Sequence, residues 1–269
     1  MVVFAGQGDA RRSMALLWRT APSAASRPGP KPVLSVDAIV EAAVDIADAE
    51  GMAALSMRAV GERLGRTAMA LYTHVPGKGE LLDLMYDRVL AELPTAYDTD
   101  PGWRVALTAW AEQTWAFYLR HPWVLQISQA RPVLGPNEYA GMEALVRVLD
   151  TTGLPPHVLR RMIGMLFHFV RGAAQTVAES RQAAAATGVT DDAWWFARSA
   201  QLRDVAPDFA ERFPTLLRLE TEGASAPGDE DVPYLEREAK ETFTVGLGVL
   251  LDGIQVAVDR AAADGPGEG

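Results

Sequence analysis

The sequence predicts an all-α fold, in which a small N-terminal three-helix bundle with a helix-turn-helix precedes a larger C-terminal helical bundle. Three observations lead to this class. Apolar residues recur at intervals of three and four along most of the chain, the spacing of one face of an α-helix. Glycine and proline separate these segments, as they do at helix ends. No run of alternating apolar and polar residues flanked by turn residues indicates a β-strand.

The extreme N-terminus, residues 1–34, is expected to be an extension and linker. A short amphipathic helix is predicted in ARRSMALLWR, and the segment after it, APSAASRPGPKP, is rich in proline, serine and alanine. Arg27 and Lys31 lie in this linker. We expect them in a solvated tail, and an arm that reaches the minor groove or the phosphates of DNA is the alternative.

Residues 35–80 are predicted to form the helix-turn-helix domain. Helices are expected at about 35–51, 56–64, 67–73 and 79–93. Ser35 and Thr67 are suitable N-cap residues for the first and third of these. Gly65 stands in the turn between the second and third helices, where the chain needs a residue that adopts positive φ.

Residues 81–269 are predicted to form the second domain. Its helices are expected at about 103–120, 137–152, 156–186, 191–205 and 232–262. The two longest carry small residues that permit close helix–helix approach: Gly172, Ala173, Gly246, Gly248 and Gly253. Packing between two copies and packing within one chain both fit this pattern.

The composition limits the chemistry that the chain can carry. It has no cysteine, which excludes disulfides, thiolate metal sites and cysteine nucleophiles and fits a cytoplasmic protein. Its four histidines show no metal-ligand spacing, so neither a metal nor a cofactor is expected. No stretch approaches about 18 consecutive apolar residues, so no membrane partner is expected.

The helix-turn-helix has the residue types of a DNA-reading unit. A second helix that enters the major groove needs small or polar residues near its N-terminus, which can meet base edges and thymine methyl groups. Cationic and hydroxyl side chains around it can hold phosphates. The candidate DNA contacts are Arg58, Arg66, Thr67, Ala68, Met69, Ala70, Tyr72, Thr73, His74 and Lys78.

The distribution of charge supports this interpretation. The chain has a formal net charge of -10, but residues 1–32 carry +4 and residues 52–79 carry +3, so the remainder carries -17. Positive charge is thus concentrated near the N-terminus, as expected for a local DNA-facing surface on an otherwise acidic chain.

Several spaced motifs resemble the N-terminal domain of TetR-family transcriptional repressors. They are Gly51, LSMR at 55–58, LG at 64–65, LYTH at 71–74 and Lys78 before a leucine-rich helix. The C-terminal part resembles the tetracycline-repressor branch more weakly, through Trp103, RHP at 120–122 and the long last helix. The resemblance implies a homodimer built from the last long helices, a small-molecule inducer held inside each C-terminal bundle, and release of a palindromic operator when the inducer binds.

Aromatic and polar residues of the C-terminal part are candidates for the inducer pocket, since such pockets combine apolar walls with a few polar groups. The candidates are Trp110, Thr114, Phe117, Met142, Met165, His168 and Gln175. The drug repressors of the resembled branch surround a tetracycline–magnesium chelate with Asn, His and Gln. Trp110 and Leu145 stand where the Asn and the Gln would be, so that chelate is not expected here.

Three alternatives remain open from the sequence. The chain could be a transcriptional activator, since the repressor role comes only from the resemblance. It could be a small-molecule sensor without operator function, against which the positive charge of residues 52–79 speaks. An enzyme has little support, because the chain has no paired-carboxylate motif, no serine elbow and no P-loop.

Overall fold

The computed structural model describes residues 3–20, 34–222 and 233–264, so the linker residues Arg27 and Lys31 lie outside the described residues. Within these ranges the chain forms α-helices, one 3₁₀ helix at Pro122–Gln126 and no strand. The α-helices are α1 (Ala10–Leu17), α2 (Val36–Glu50), α3 (Met57–Arg63), α4 (Ala68–Tyr72), α5 (Lys78–Leu90), α6 (Trp103–Arg120), α7 (Pro136–Asp150), α8 (Pro156–Thr187), α9 (Asp191–Val205), α10 (Phe209–Arg212), α11 (Pro214–Glu222) and α12 (Tyr234–Asp264).

The all-α prediction is confirmed, and most helix ends fall within a few residues of their predicted positions. The helix predicted at 191–205 is found there, and the helix predicted at 79–93 is Lys78–Leu90. The 3₁₀ helix and the short helices α10 and α11 were not predicted. Their four to nine residues are too few for an apolar period to be seen.

The predicted N-caps have the expected hydrogen bonds. The side chains of Ser35 and Thr67 each accept a hydrogen bond from the backbone N–H three residues further on, and Ser56 does the same at the start of α3. Each such cap stabilises its helix by about 1 kcal/mol. The start of α4 is therefore set by Thr67 itself, which matters because α4 has only five residues.

The described residues fall into two compact units. One lies within residues 1–171 and 251–269, and the other within residues 172–250. The first unit holds both the helix-turn-helix and the interior formed by α5, α6 and α7 with the first part of α8. Its most deeply buried side chains include Leu107, Phe117, Trp123, Leu145 and Leu166. The predicted domain boundaries at 34 and 80 stay predictions; α5 runs without a break across the second.

The second unit contains the later part of α8, α9 to α11 and the first part of α12. Its best-defined polar contact is a pair of hydrogen bonds from Arg181 to Glu236, both 2.7 Å long. Trp194 and Trp195 stack with ring centroids 5.6 Å apart and remain 48% exposed each. Large apolar side chains on α9 are thus open to solvent in the single chain.

Helix α12 combines a buried face with an exposed apolar face. By length and composition alone, Tyr234–Ala263 would suit a membrane span, with a mean hydropathy of 1.3 over its most apolar window. Phe243 and Leu247 on this helix are buried, whereas Val245 and Val249 are 67% and 65% exposed. The core helix of a soluble protein passes the same test of length and composition, so the expectation of no membrane partner stays a prediction.

At Gly61 the backbone of α3 crosses close to the backbone of the turn that follows this helix. A Cβ atom at this position would lie 2.7 Å from the Arg66 carbonyl oxygen and 3.2 Å from the Ala68 nitrogen, and both are backbone atoms. We expect Gly61→Ala to lower the free energy of unfolding by about 1–3 kcal/mol, because the crossing must open. Urea denaturation of the two proteins measures the difference.

Gly141 in α7 is the matched control for this prediction. Nothing lies within 4 Å of a Cβ atom placed there, so Gly141→Ala is expected to raise the free energy of unfolding by about 0.5–1 kcal/mol through helix propensity. Equal stability of the two alanine variants would contradict the close crossing at Gly61.

Candidate functional site

The helix-turn-helix formed by α3 and α4 has one buried and one exposed face. Val60, Leu71 and Val75 are each 0% exposed, so the inner face is fixed by the interior of the first unit. Gly65 between the helices has φ +64°, the left-handed conformation that the sequence predicts at this turn. The outer face of α4 is consequently left to solvent.

The residues predicted to contact DNA lie on and beside this outer face. Met69 is 73% exposed and Tyr72, one turn further on, is 41% exposed. We call the exposed set the reading surface: Arg58, Arg66, Thr67, Met69, Tyr72, Thr73 and Lys78. The other three candidates, Ala68, Ala70 and His74, are half-buried beside it. The structure brings the ten candidates together, and their contacts with DNA stay a prediction.

Two cations of the reading surface already have partners within the chain. Arg58 Nε donates to Glu62 Oε1 at 2.7 Å, and both side chains are largely exposed. Solvent screens an exposed pair of this kind, so a phosphate can replace the carboxylate. Lys78 Nζ donates to the Leu55 carbonyl oxygen at 2.7 Å. This bond orients the ammonium and leaves two of its three protons for another acceptor.

Helix α5 connects the reading surface to the interior of the first unit. It begins at Lys78, and its later residues Tyr86 and Leu90 line a cavity. Asp87 on the same helix is buried and accepts hydrogen bonds from the backbone nitrogens of Asn137 and Glu138, at 2.9 and 3.0 Å, in the first turn of α7. Burial raises the pKa of Asp87, and these hydrogen bonds oppose the shift.

Residues 3–20, which we call the N-terminal strap, pack against α5. The Gly6 nitrogen donates to Asp83 Oδ1 at 2.9 Å, and the Asp9 nitrogen donates to Glu80 Oε1 at 3.2 Å. Glu80 and Asp83 are both buried. Backbone groups of the strap thus donate hydrogen bonds to two buried carboxylates of α5.

The strap also contacts the segment that closes one side of the cavity. Val3 forms an isolated parallel bridge with Ile127, and the Trp18 indole nitrogen donates to the Leu134 carbonyl oxygen at 3.0 Å. The Arg131 guanidinium lies 5.7 Å from the centre of the Phe4 ring. These contacts were not predicted, because a sequence pattern cannot show what an N-terminal extension packs against.

A second connection between the helix-turn-helix domain and the interior centres on His121. Its Nδ1 lies 2.9 Å from Asp48 Oδ1, its Nε2 lies 3.1 Å from Glu92 Oε2, and the Trp123 indole nitrogen donates to Asp48 at 2.7 Å. Burial alone would lower the pKa of His121, but its hydrogen bonds to the two carboxylates outweigh burial and raise the pKa above its ordinary value. Asp48 lies on α2, so this network ties α2 to the residues that follow α5 and α6.

The cavity lies between α5, α6, α7 and the first part of α8, and its volume is about 250 Å³. Its walls include several aromatic side chains. Trp110 and Phe167 meet edge to face with ring centroids 5.2 Å apart. The polar side chains on its walls include Thr114, Ser128, Gln129, Arg131, Asn137, Glu138 and His168. Apolar walls with a few polar groups are typical of sites for small organic molecules.

Five of the seven predicted pocket residues line this cavity: Trp110, Thr114, Phe117, Met142 and His168. Met165 and Gln175 are not among the residues that line it. Along α8 the residues that line the cavity are 163, 164, 167 and 168, so Met165 is on another face and is 38% exposed. Gln175 is exposed and its amide donates to Glu179 at 2.7 Å.

The sequence did not identify several other residues of the cavity. Tyr86 and Tyr118 fall in helical apolar stripes, which indicate a core and do not distinguish a cavity wall. Arg131 lies in an irregular segment that no periodicity can place. Tyr97, in the loop before α6, also lines the cavity, and burial raises the pKa of its phenol to about 12.

Both halves of the chain match families of known proteins. Residues 39–85 match the family "Bacterial regulatory proteins, tetR family", and residues 95–258 match "Tetracyclin repressor-like, C-terminal domain". The chain is 43% identical over 256 residues to the HTH-type transcriptional repressor DrrR1 of Streptomyces coeruleorubidus, an alignment that covers 94% of this chain and 88% of the relative. It is 37% identical over 123 residues to an HTH-type transcriptional regulator of Saccharopolyspora erythraea, covering 46% and 52% of the two chains.

Two solved structures of one regulator, ActR, are also similar to this chain. Apo ActR from Streptomyces coelicolor matches with a TM-score of 0.67 and 26% identity, over 86% of this chain and 99% of ActR. ActR in complex with actinorhodin matches with a TM-score of 0.67 and 29% identity, over 85% and 98% of the two chains.

Proposed function

Because the chain belongs to the TetR family of regulators, we propose that its reading surface binds one half of a palindromic operator and that the cavity holds the ligand that releases the DNA. The chain is a ligand-responsive helix-turn-helix repressor, and the family's regulators are DNA-binding proteins, not enzymes. An activator, or a sensor without operator function, is not favoured by these relatives. A regulator of this kind works where the DNA is, in the cytoplasm or nucleoid.

The observation that supports this proposal is that α5 runs without a break from the reading surface to the cavity. One end of the helix presents Lys78 to the DNA, and Tyr86 and Leu90 line the cavity two to three turns further on. A ligand that moves Tyr86 or Leu90 therefore moves Lys78 and the turn before it. Such a ligand shifts the protein toward a weakly binding state only by the difference between its affinities for the two states.

The operator is expected to be a palindrome because regulators of this family dimerise. Two helix-turn-helix units on one face of the duplex read half-sites roughly 34–36 Å apart or at a related spacing. We assign the dimer interface to the exposed faces of the long helices α8 and α12. Val245 and Val249 are exposed on α12, and a Cβ atom at Gly248 between them would meet nothing within 4 Å.

Thr67 is assigned to base recognition at one position of each half-site. Thr67→Val removes the hydroxyl that can bond a base edge, together with the cap bond to the Ala70 nitrogen. We expect Thr67→Val to change the preferred base at that position, and Thr67→Ser, which keeps the hydroxyl, to retain it. Selection from random DNA with each variant measures the preference. An unchanged consensus for the valine variant removes Thr67 from the set of base contacts.

Ligand response is tested by displacement of labelled operator DNA. Fluorescence anisotropy follows the selected operator on the full chain while actinorhodin, the compound bound by ActR, is added as a first probe. We expect release at a concentration that Gly164→Leu raises, because Gly164 lines the cavity and a leucine there fills part of it. Release that is unaffected by this substitution contradicts the assignment of the cavity. Val105→Leu, at an exposed position of α6, is the control.

A further inference from the structure

Two exposed arginines of the N-terminal strap have no role in the proposed function. Residues 1–32 carry a net charge of +4, and Arg11 and Arg12 lie in the first turn of α1. Ser13 and Leu17 are buried on the inner face of this helix, which packs against α5. Arg11 and Arg12 are exposed, so their guanidinium groups lie on the outer side of the strap.

Neither guanidinium has a partner within the described part of the chain. No ion pair or hydrogen bond there involves the side chain of Arg11 or Arg12. By contrast, Arg19 near the last residue of the strap pairs with Asp37. The nearest carboxylate along the chain, Asp9, accepts a hydrogen bond from the Arg12 backbone nitrogen at 2.8 Å. Two adjacent, unpaired guanidinium groups suit phosphate oxygens, which they can hold through paired N–H donors.

The backbone of the strap runs along α5 toward the reading surface. The Gly6 nitrogen donates a hydrogen bond to Asp83. Three residues later, the Asp9 nitrogen donates to Glu80, which is one turn closer to Lys78 at the start of α5. The two hydrogen bonds therefore fix the direction of the strap, from the middle of α5 to its first turn.

The chain then turns just before α1, beside the first turn of α5. A Cβ atom placed at Gly79 would lie 3.4 Å from the Gly8 nitrogen, so the two backbones are in contact there. Helix α1 leads away from this point toward the segment before α7. Arg11 and Arg12, in the first turn of α1, consequently lie at the end of that helix nearest to Lys78.

We propose that Arg11 and Arg12 bind operator phosphates next to the one assigned to Lys78, so that the strap is a second DNA-contacting element beside the reading surface. The proposal rests on the proposed function, since it takes the reading surface as the face that meets DNA. Contacts between guanidinium groups and phosphates carry no base information. The strap therefore adds affinity for every sequence and helps to fix the position of the domain on the duplex.

The double variant Arg11→Ala/Arg12→Ala tests these contacts in the full chain. Anisotropy titrations with the selected operator and with an unrelated duplex should both show affinity reduced by roughly tenfold per protomer. The slope of log affinity against log salt should fall by about two per protomer, one for each lost phosphate contact. Arg11→Lys/Arg12→Lys should retain the slope, because it keeps both charges.

Ethylation interference locates the contacts on the DNA. Ethylation of a single phosphate removes its charge, so it weakens binding only where the protein uses that phosphate. The double alanine variant should lose interference at phosphates next to those at which Lys78→Ala loses it. Loss of interference at the same phosphates as Lys78→Ala, and at no others, would overturn the separate contacts of the strap.

Arg160→Ala/Arg161→Ala is the matched control, since it removes two adjacent, exposed arginines from α8 and changes the net charge equally. It should leave the salt slope unchanged. A slope for the strap variant equal to that of the unsubstituted chain overturns the proposal, as does a loss that the control shares. Either result leaves operator binding by the unsubstituted chain, and with it the proposed function, intact. Failure of the unsubstituted chain to bind any duplex would overturn both.

Discussion

Substitution of Lys78 by alanine is expected to weaken binding to every DNA sequence by roughly tenfold per half-site, or about a hundredfold for a dimer on its palindrome. Lys78 begins α5 and is held toward the outer face by its bond to the Leu55 carbonyl oxygen. Its ammonium is therefore placed for a phosphate. Loss of one phosphate contact per protomer should lower the slope of log affinity against log salt by about one per protomer.

Anisotropy titrations of labelled operator and of unrelated duplex at several salt concentrations measure both quantities. Arg147→Ala is the control, since Arg147 is an exposed cation on α7 paired with Glu143. It should change neither the affinity nor the slope. If Lys78→Ala has the slope of the unsubstituted chain, Lys78 only fixes the Leu55 loop and contacts no phosphate.

Substitution of Asp48 by alanine is expected to lower the free energy of unfolding by about 2–4 kcal/mol, because two buried groups each lose a hydrogen bond. These are the Trp123 indole N–H and His121, which are 1% and 3% exposed. Asp45→Ala is the matched control, one turn earlier on α2. Asp45 pairs with Arg63 at the surface, so its loss should cost less than about 1 kcal/mol. Equal costs in urea denaturation would contradict the buried network.

The same network predicts the direction of a pH effect. The pKa of His121 is raised in the folded chain, so its contribution is complete below the pKa of an unfolded histidine, about 6.5, and is lost as the pH rises through the folded pKa. The stability difference between the unsubstituted chain and His121→Gln should therefore shrink as the pH rises from about 6.5 through the folded pKa of His121. A stability difference that grows as the pH rises would contradict the raised pKa of His121. It would indicate that His121 is neutral in the network.

Local patterns predicted the helix-turn-helix well. Ser35, Gly65 and Thr67 have the roles that their residue types indicate, since a cap or a left-handed turn depends on a few adjacent residues. The exposed position of Met69 follows from the same short-range geometry, because Leu71 on the opposite face of α4 is buried.

Contacts between distant parts of the chain could not be predicted in this way. The strap residue Gly6 bonds Asp83 and lies 77 residues from it, and Trp123 bonds Asp48 across 75 residues. No period or motif in one sequence encodes such pairs. The cavity is intermediate: helical spacing identified Trp110 and Thr114 as inward-facing, but the rotation of α8 that excludes Met165 depends on its packing.

These contacts give the reading surface three connections to the interior of the first unit. Helix α5 reaches the cavity directly, the strap joins Glu80 and Asp83 to the segment around Ile127, and the His121 network holds α2. A ligand that alters the cavity walls acts on elements that also position the helix-turn-helix.

Selection of DNA from a random pool by the purified full chain tests the central claim most directly, since it requires the reading surface and the dimer to act together. The account predicts a palindromic consensus whose half-site centres are about one helical turn apart or at a related spacing. It also predicts that Lys78→Ala enriches the same consensus more weakly. Absence of enrichment, or a consensus without twofold symmetry, would contradict the account.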